Sequence, residues 1–165
     1  MAVTRDQMLA VLNAQRAAFT AELPVSAAVR KDRLKRAIAL LVDHGDAFCK
    51  AMSEDFGHRS HEQSMMTDIT TSIRVLKATI KQVDQWMKPE KRKAEFPLGL
   101  LGAKAAVEFQ PKGVIGIISP WNFPVQLTMG PLTGAFAAGN RVMVKSSEYT
   151  PTVAELFETV GPQYF

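Results

Sequence analysis

A stretch without a single Asp, Glu, Lys or Arg, Gly113 to Asn140, constrains the fold of this chain more than any other feature. It is long enough to span a membrane, but prolines at positions 120, 124 and 131 would break a continuous apolar helix. Asn122 and Gln126 would also be costly in hydrocarbon. The stretch is better interpreted as the buried centre of an α/β domain, and no membrane partner is expected.

Four elements are predicted in and after this stretch. Val114 to Ile118 is short, apolar and β-branched, which predicts a buried parallel strand. A helix follows from Val125 to Ala138, closed by Gly139, and Arg141 to Lys145 forms the next strand. Thr150 and Pro151 then provide the N-cap and first-turn proline of a last helix, which Gly161 ends. The order of these elements predicts the beginning of a parallel sheet that is incomplete in this chain.

The preceding residues, 1–93, predict a helical segment. Thr4 resembles the N-cap of a capping box, and Ser26 can cap a second helix. A third, short helix is predicted from Asp46, with Gly57 as its stop signal. The apolar residues from Met66 to Met87 recur with heptad spacing, which fits either a coiled coil or the core-facing stripe of one long helix. In a chain of this size we favour the core-facing stripe.

A charged run over residues 88–93 ends this helix and is predicted to form a solvated connector. Residues 94–112 then carry two apolar clusters, Phe96 to Leu101 and Ala106 to Phe109, on either side of Gly102, which predicts a β-hairpin or an extended arm. The chain is therefore divided into a helical segment (1–93), an arm (94–112) and the first part of an α/β domain (113–165).

Charge and side-chain chemistry argue against several functions, among them anion or nucleic-acid binding through the basic clusters Arg30 to Arg36 and Lys88 to Lys93. The formal net charge of +4 is mild, and no aromatic residues interleave with the cations of residues 88–93, so no nucleic-acid partner is expected. The single cysteine, Cys49, lies in a predicted helix and is expected to be a buried, inert thiol of a cytoplasmic protein. His58, His61 and Glu62 lack a clear further ligand, so no metal site is expected.

In an open parallel sheet, ligands bind beyond the carboxyl ends of the strands. After Ile118 the sequence Ser-Pro-Trp-Asn-Phe-Pro fixes the amide of Asn122 between two prolines. After the second strand, Lys145 and Glu148 place a donor beside an acceptor, a pair that can hydrogen-bond ribose hydroxyls. Neither a glycine-rich dinucleotide fingerprint nor a P-loop occurs in the chain.

Two long motifs carry a family resemblance. Gly113-Val-Ile-Gly-Ile-Ile-Ser-Pro-Trp-Asn-Phe-Pro124 and Ala137-Ala-Gly-Asn-Arg-Val-Met-Val-Lys-Ser-Ser-Glu148, followed by Thr150-Pro151, resemble the N-terminal half of the aldehyde dehydrogenase superfamily. Within it the chain is most similar to the class 3 branch and to coniferyl aldehyde dehydrogenases. The resemblance implies an atypical Rossmann-like domain without the glycine fingerprint.

The resemblance also implies roles for individual residues. Asn122 matches the asparagine whose amide helps to form the oxyanion hole. Lys145 and Glu148 match the pair that binds the adenine ribose, and Ile118 and Trp121 match the loop that lines the cofactor cleft. The implied cofactor is NAD, with NADP as an alternative, and the implied enzyme oxidises an aldehyde and assembles as a homo-oligomer. One departure is Ser146, where the family usually has proline.

The family's nucleophilic cysteine and general-base glutamate follow the segment that these residues match. The chain is therefore expected to be the N-terminal part of an NAD(P)-dependent enzyme acting on coniferyl or another aromatic aldehyde, without the catalytic domain and inactive by itself. The alternative is a non-catalytic truncated module that self-associates or binds a full-length relative.

Overall fold

The caps of the first two helices form as the sequence predicts. The computed structural model describes residues 3–165. Helix α1 (Arg5–Glu22) begins with a capping box between Thr4 and Gln7, and helix α2 (Ala27–Asp43) begins where the hydroxyl of Ser26 accepts a backbone hydrogen bond. Helix α3 (Gly45–Asp55) follows almost directly.

The predicted long helix is present but changes its winding. Helix α4 (His61–Ser64) continues through a π-helical turn (Met65–Thr70) into helix α5 (Thr71–Trp86). The core-facing stripe is confirmed for three members of the heptad series, which are buried: Ile69, Leu76 and Val83. Met66 instead is 69% exposed, because the wider π-turn shifts the register between the two halves of the helix.

The arm is a two-stranded antiparallel ribbon, but its first strand lies earlier than predicted. Strand β1 (Glu90–Arg92), within the charged run, pairs with strand β2 (Ala105–Val107). The apolar cluster expected to form one side of the hairpin contains a 3₁₀ turn (Leu98–Leu101), which ends at Gly102 with a φ of +88°. The side chains of both strands are largely exposed, so no alternation of polar and apolar residues marks them in the sequence.

The α/β elements lie within one residue of their predicted bounds. They are strand β3 (Val114–Ile118), helix α6 (Gln126–Ala137), strand β4 (Arg141–Lys145) and helix α7 (Pro151–Val160). Strands β3 and β4 pair in parallel, with Val114 opposite Arg141 and Ile118 opposite Lys145. The prediction that β3 is buried is wrong: Ile117 is buried, but Ile118 is 83% exposed. In the part of the chain that the structure describes, this sheet has two strands, so much of β3 lacks the covering layers of a complete parallel sheet.

One hydrophobic core joins the helical segment to the α/β elements. Helix α6 packs against α2 and α5 on one side and against β3 and β4 on another, while α3 packs against α7. Buried side chains from all of these regions, such as Leu34, Phe48, Leu76, Met129 and Val153, form a single cluster. None of the helices within residues 3–165 combines the length and the apolar character needed to cross a membrane.

Gly139, which ends α6, provides a test of this packing. Its φ is +87°, and a Cβ atom there would lie 3.0 Å from the guanidinium carbon of Arg30. We expect Gly139→Ala to lower the free energy of unfolding by at least about 1–2 kcal/mol in urea denaturation, because of the left-handed backbone and the close contact. The matched control is Gly161→Ala. There φ is −49°, and an added Cβ atom would have no non-neighbouring atom within 4 Å. Equal effects of the two substitutions would contradict this account.

Candidate functional site

The carboxyl ends of β3 and β4 lie side by side, and each leads into one of the two loops predicted to bind a ligand. Ile118 is the register partner of Lys145, and the backbone N–H of Ser119 donates to the carbonyl oxygen of Lys145 over 2.9 Å. The structure therefore brings together the ends of the two strands, as the parallel pairing predicts.

Lys145 and Glu148 form an exposed ion pair at this edge. The ammonium nitrogen of Lys145 lies 2.7 Å from a carboxylate oxygen of Glu148, and both side chains are more than half exposed. The hydrogen bond from Lys145, with help from the backbone N–H of Glu148, lowers the pKa of the Glu148 carboxyl. The carboxylate is thus ionised at neutral pH. A charged donor beside a charged acceptor matches the needs of two neighbouring hydroxyl groups.

Trp121 contributes to an aromatic groove beside the same edge. Its ring lies 6.1 Å from that of Phe56, and the two share an open groove of about 540 Å³ with Asp55 and Tyr149. Trp121 remains 54% exposed, so most of its flat face is available for contact. Phe56 directly follows α3, and no pattern in the sequence indicates that the helical segment reaches this loop.

Asn122 is exposed, and its backbone is held. Its carbonyl oxygen accepts a hydrogen bond of 3.0 Å from the guanidinium group of Arg59. Within residues 3–165, by contrast, the side-chain amide of Asn122 forms no hydrogen bond. The amide is therefore free to donate to a bound oxygen atom.

Asp68 and Arg59 form a buried pair beneath this loop. Asp68 is fully buried in the π-turn, and one of its oxygens accepts from the backbone N–H groups of Val125 and Gln126 over 3.2 and 3.1 Å. The other oxygen lies 2.8 Å from the Arg59 guanidinium and 3.1 Å from the hydroxyl of Thr67, which donates over the shorter distance of 2.8 Å to the carbonyl oxygen of Gln63. A carboxylate from the helical segment thus caps the first turn of α6.

Helix α7 is capped in the same way, by Asp55. The two oxygens of its carboxylate accept from the backbone N–H groups of Thr152 and Val153 over 2.9 and 3.0 Å. The prediction that Thr150 caps this helix is wrong at the level of its side chain, because its buried hydroxyl has no hydrogen-bond partner. Pro151 does occupy the first turn, as predicted. Sequence analysis missed Asp55, Arg59 and Asp68, because nothing in their local pattern indicates a partner far along the chain.

Cys49 is buried, as predicted, and burial raises the pKa of its thiol to about 11, with a smaller contribution from the nearby carboxylates of Asp46 and Asp68. His58, His61 and Glu62 are exposed, and His61 lies 3.0 Å from Asp46. In residues 3–165, no cluster of three or more His, Cys, Asp or Glu side chains is arranged to hold a metal ion.

Comparison with known sequences gives a consistent family match. The model of the aldehyde dehydrogenase family matches residues 1–161. A "Probable coniferyl aldehyde dehydrogenase" of Caulobacter vibrioides is 50% identical over 94% of this chain and 32% of its own length. The "Coniferyl aldehyde dehydrogenase" of Pseudomonas sp. strain HR199 is 46% identical over 99% of the chain and 33% of its own length. The chain spans about a third of the length of these curated relatives.

Solved structures show the same fold. An AldH of Staphylococcus aureus, in a substrate-bound state, superimposes with a TM-score of 0.88 at 26% identity, over 100% of this chain and 34% of its own. The succinic semialdehyde dehydrogenase of Streptococcus pyogenes, in complex with NADP⁺, gives a TM-score of 0.83 at 19% identity, over 98% of this chain and 34% of its own. The prediction of helices, an arm and the start of a Rossmann-like sheet is thus confirmed as a fold.

The buried thiol predicts a dependence of stability on pH. Folding raises the pKa of Cys49 from an ordinary value of 9.0 to about 11, so the neutral thiol favours the folded state below pH 9. This contribution should be lost as the pH rises from 9 to 11. In urea unfolding over this range, Cys49→Ala should show a smaller loss of stability than the unsubstituted chain. Parallel pH profiles for the two proteins would show that the thiol is accessible after all.

Proposed function

The chain belongs to the aldehyde dehydrogenase family, and on that premise we propose that it is the N-terminal part of an NAD(P)-dependent enzyme that oxidises an aromatic aldehyde, such as coniferyl aldehyde, to the carboxylic acid. The probable coniferyl aldehyde dehydrogenase at 50% identity and the coniferyl aldehyde dehydrogenase at 46% identity support this substrate class.

The observation that carries the proposal is the free amide of Asn122 on a loop whose backbone is held at the edge of the sheet. When a thiolate adds to an aldehyde, the carbonyl oxygen becomes negative. The amide N–H of Asn122 donates to that oxygen and stabilises the developing charge. Because Arg59 already holds the carbonyl oxygen of this residue, less of Asn122 has to be ordered when its amide donates.

Lys145 and Glu148 fit the ribose of a dinucleotide. Their charged donor and acceptor stand 2.7 Å apart, exposed, where β4 ends. Ile118 and Trp121 are exposed beside them and would border the cofactor. The nicotinamide supplies the hydride acceptor when the cofactor is bound. In this proposal NAD is the preferred cofactor, with NADP as the alternative.

The thiolate and the general base come from the remainder of the enzyme. Cys49 is buried in the core and is neutral at ordinary pH, so it does not serve as the nucleophile. We therefore expect residues 1–165 alone to show no aldehyde oxidation.

The intact enzyme is proposed to be a cytoplasmic homo-oligomer. The arm exposes Phe96, Leu100 and Leu101, each about 80% accessible, and such a surface fits contact with another copy of the protein. The same surface favours the second candidate, a non-catalytic module that self-associates or binds a full-length relative. Aldehyde-dependent turnover by an enzyme that carries this segment, lost on substitution of Asn122, separates the two.

Cofactor choice gives a direct test of Glu148. Its carboxylate accepts from a ribose 2′-hydroxyl but repels a 2′-phosphate, so Glu148→Gln in the full-length enzyme should shift the ratio of kcat/KM values toward NADP. The measurement is initial rates with each cofactor at saturating aldehyde. Val144→Ala, at the exposed neighbouring strand position, serves as a control and should leave the ratio unchanged. An unchanged ratio in Glu148→Gln with normal cofactor affinity would place the carboxylate away from the 2′ position.

The role of Asn122 is tested by its own substitution. In the full-length enzyme, Asn122→Ala should lower kcat by about 10²- to 10³-fold, because the donor to the oxyanion is lost, while the Kd for NAD changes little. Asn122→Asp keeps the size and turn preference of the side chain but replaces the donor with a negative charge, and should lose at least as much. Normal turnover in Asn122→Asp would disprove the assignment.

A further inference from the structure

We propose that Arg59 and Asp68 are positioning residues: this buried ion pair holds the loop that carries Asn122 and aims its amide at the reacting oxygen. The proposal rests on the role given to Asn122 in the proposed function. It assigns part of the catalytic geometry to the helical segment, which contains none of the predicted site residues.

Arg59 holds Asn122 directly. One guanidinium nitrogen donates to the Asn122 carbonyl oxygen over 3.0 Å, and the other terminal nitrogen pairs with Asp68. The guanidinium carbon lies 4.9 Å from the ring centre of Phe56 and 5.2 Å from that of Phe123. A third acceptor, the hydroxyl of Thr67, lies 3.3 Å from the nitrogen that pairs with Asp68. Because two rings and three hydrogen-bond acceptors contact one planar group, its orientation is fixed.

Asp68 holds the other end of the loop. It binds Arg59 through one oxygen and the backbone N–H groups of Val125 and Gln126 through the other. The backbone from Asn122 to Gln126 is therefore attached at both ends to the same buried pair. The π-turn places Asp68 on the buried side of the long helix, and such turns are frequent at functional sites.

This arrangement exceeds what stability alone requires. Capping α6 requires the carboxylate of Asp68. It does not require the hydrogen bond that Arg59 donates to the carbonyl oxygen of Asn122. That hydrogen bond holds the carbonyl end of Asn122 and leaves its side-chain amide free. A displacement of the amide by about 1 Å would be enough to lower the rate by about 100-fold.

A double-mutant cycle in a full-length aldehyde dehydrogenase that carries this segment tests the proposal. Arg59→Lys retains the charge but lacks the planar fork needed to reach Asp68 and Asn122 together. We expect it to lower kcat by about 10- to 100-fold with an unchanged Kd for NAD. In the Asn122→Ala background the same change should lower kcat less than twofold, because Arg59 acts through Asn122.

Two further variants keep the result interpretable. If Arg59→Lys does not fold, Asp68→Asn replaces it. The amide oxygen of the substituted side chain can still accept from the two backbone N–H groups, but this uncharged side chain no longer forms an ion pair with Arg59. We expect the same loss of kcat as for Arg59→Lys. Glu22→Gln is the matched control: it breaks the pair of Glu22 with the buried Arg33, whose guanidinium also donates to the carbonyl of Asn140 before β4. It should leave kcat unchanged.

The outcomes separate the two proposals. Suppose that Asn122→Ala lowers kcat strongly, but Arg59→Lys either has no effect on kcat or lowers it by the same factor in both backgrounds. This result overturns the positioning role and leaves the role of Asn122 intact. Normal kcat in Asn122→Ala overturns the role of Asn122 and the positioning role with it. A loss of kcat in Glu22→Gln as large as in Arg59→Lys likewise overturns the positioning role, because general destabilisation would then account for both.

Discussion

The buried carboxylate of Asp68 is the contact on which the arrangement of this site depends. Removing a carboxylate from water is expensive, and the cost is offset only when its oxygens find hydrogen-bond donors. Asp68 finds three: two backbone N–H groups at the start of α6 and the guanidinium of Arg59, which also donates to the nearby hydroxyl of Thr67. Since these donors come from separate parts of the chain, satisfying one carboxylate fixes the helical segment, the loop after β3 and the start of α6 relative to one another.

Asp55 repeats this design at the second loop. Its carboxylate caps α7, which follows the loop that carries Lys145 and Glu148, as Asp68 caps α6 after the loop that carries Asn122. Both α/β helices are thus anchored by acids of the helical segment, and a single hydrophobic core runs through both regions. The helical segment therefore acts as the frame of the site, although the residues proposed to contact cofactor and substrate all lie on the loops and strand ends.

The sequence predicted those elements whose formation depends on local pattern. Strands β3 and β4 and helices α6 and α7 lie near their predicted bounds because prolines and glycines punctuate an uncharged, apolar run. The position of β1 was not predictable in this way, because an exposed ribbon buries neither face. Asp68 was missed for a different reason: in a regular helix its neighbours suggest an ordinary polar position, and its burial depends on a π-turn and on partners more than fifty residues away. The site residues predicted from the motifs are placed at the expected edge, but their roles stay predictions.

Amide hydrogen exchange tests the central claim most directly. If Asp68 holds the loop after β3, Asp68→Ala should accelerate exchange of the Val125 and Gln126 amides and of the preceding loop by at least about tenfold, because their acceptor is removed. The amides of Thr152 and Val153, which Asp55 holds, should retain their protection. Equal acceleration at both helices would mean that Asp68 supports only the overall stability of the fold, and unchanged exchange at Val125 and Gln126 would show that the carboxylate does not hold the loop.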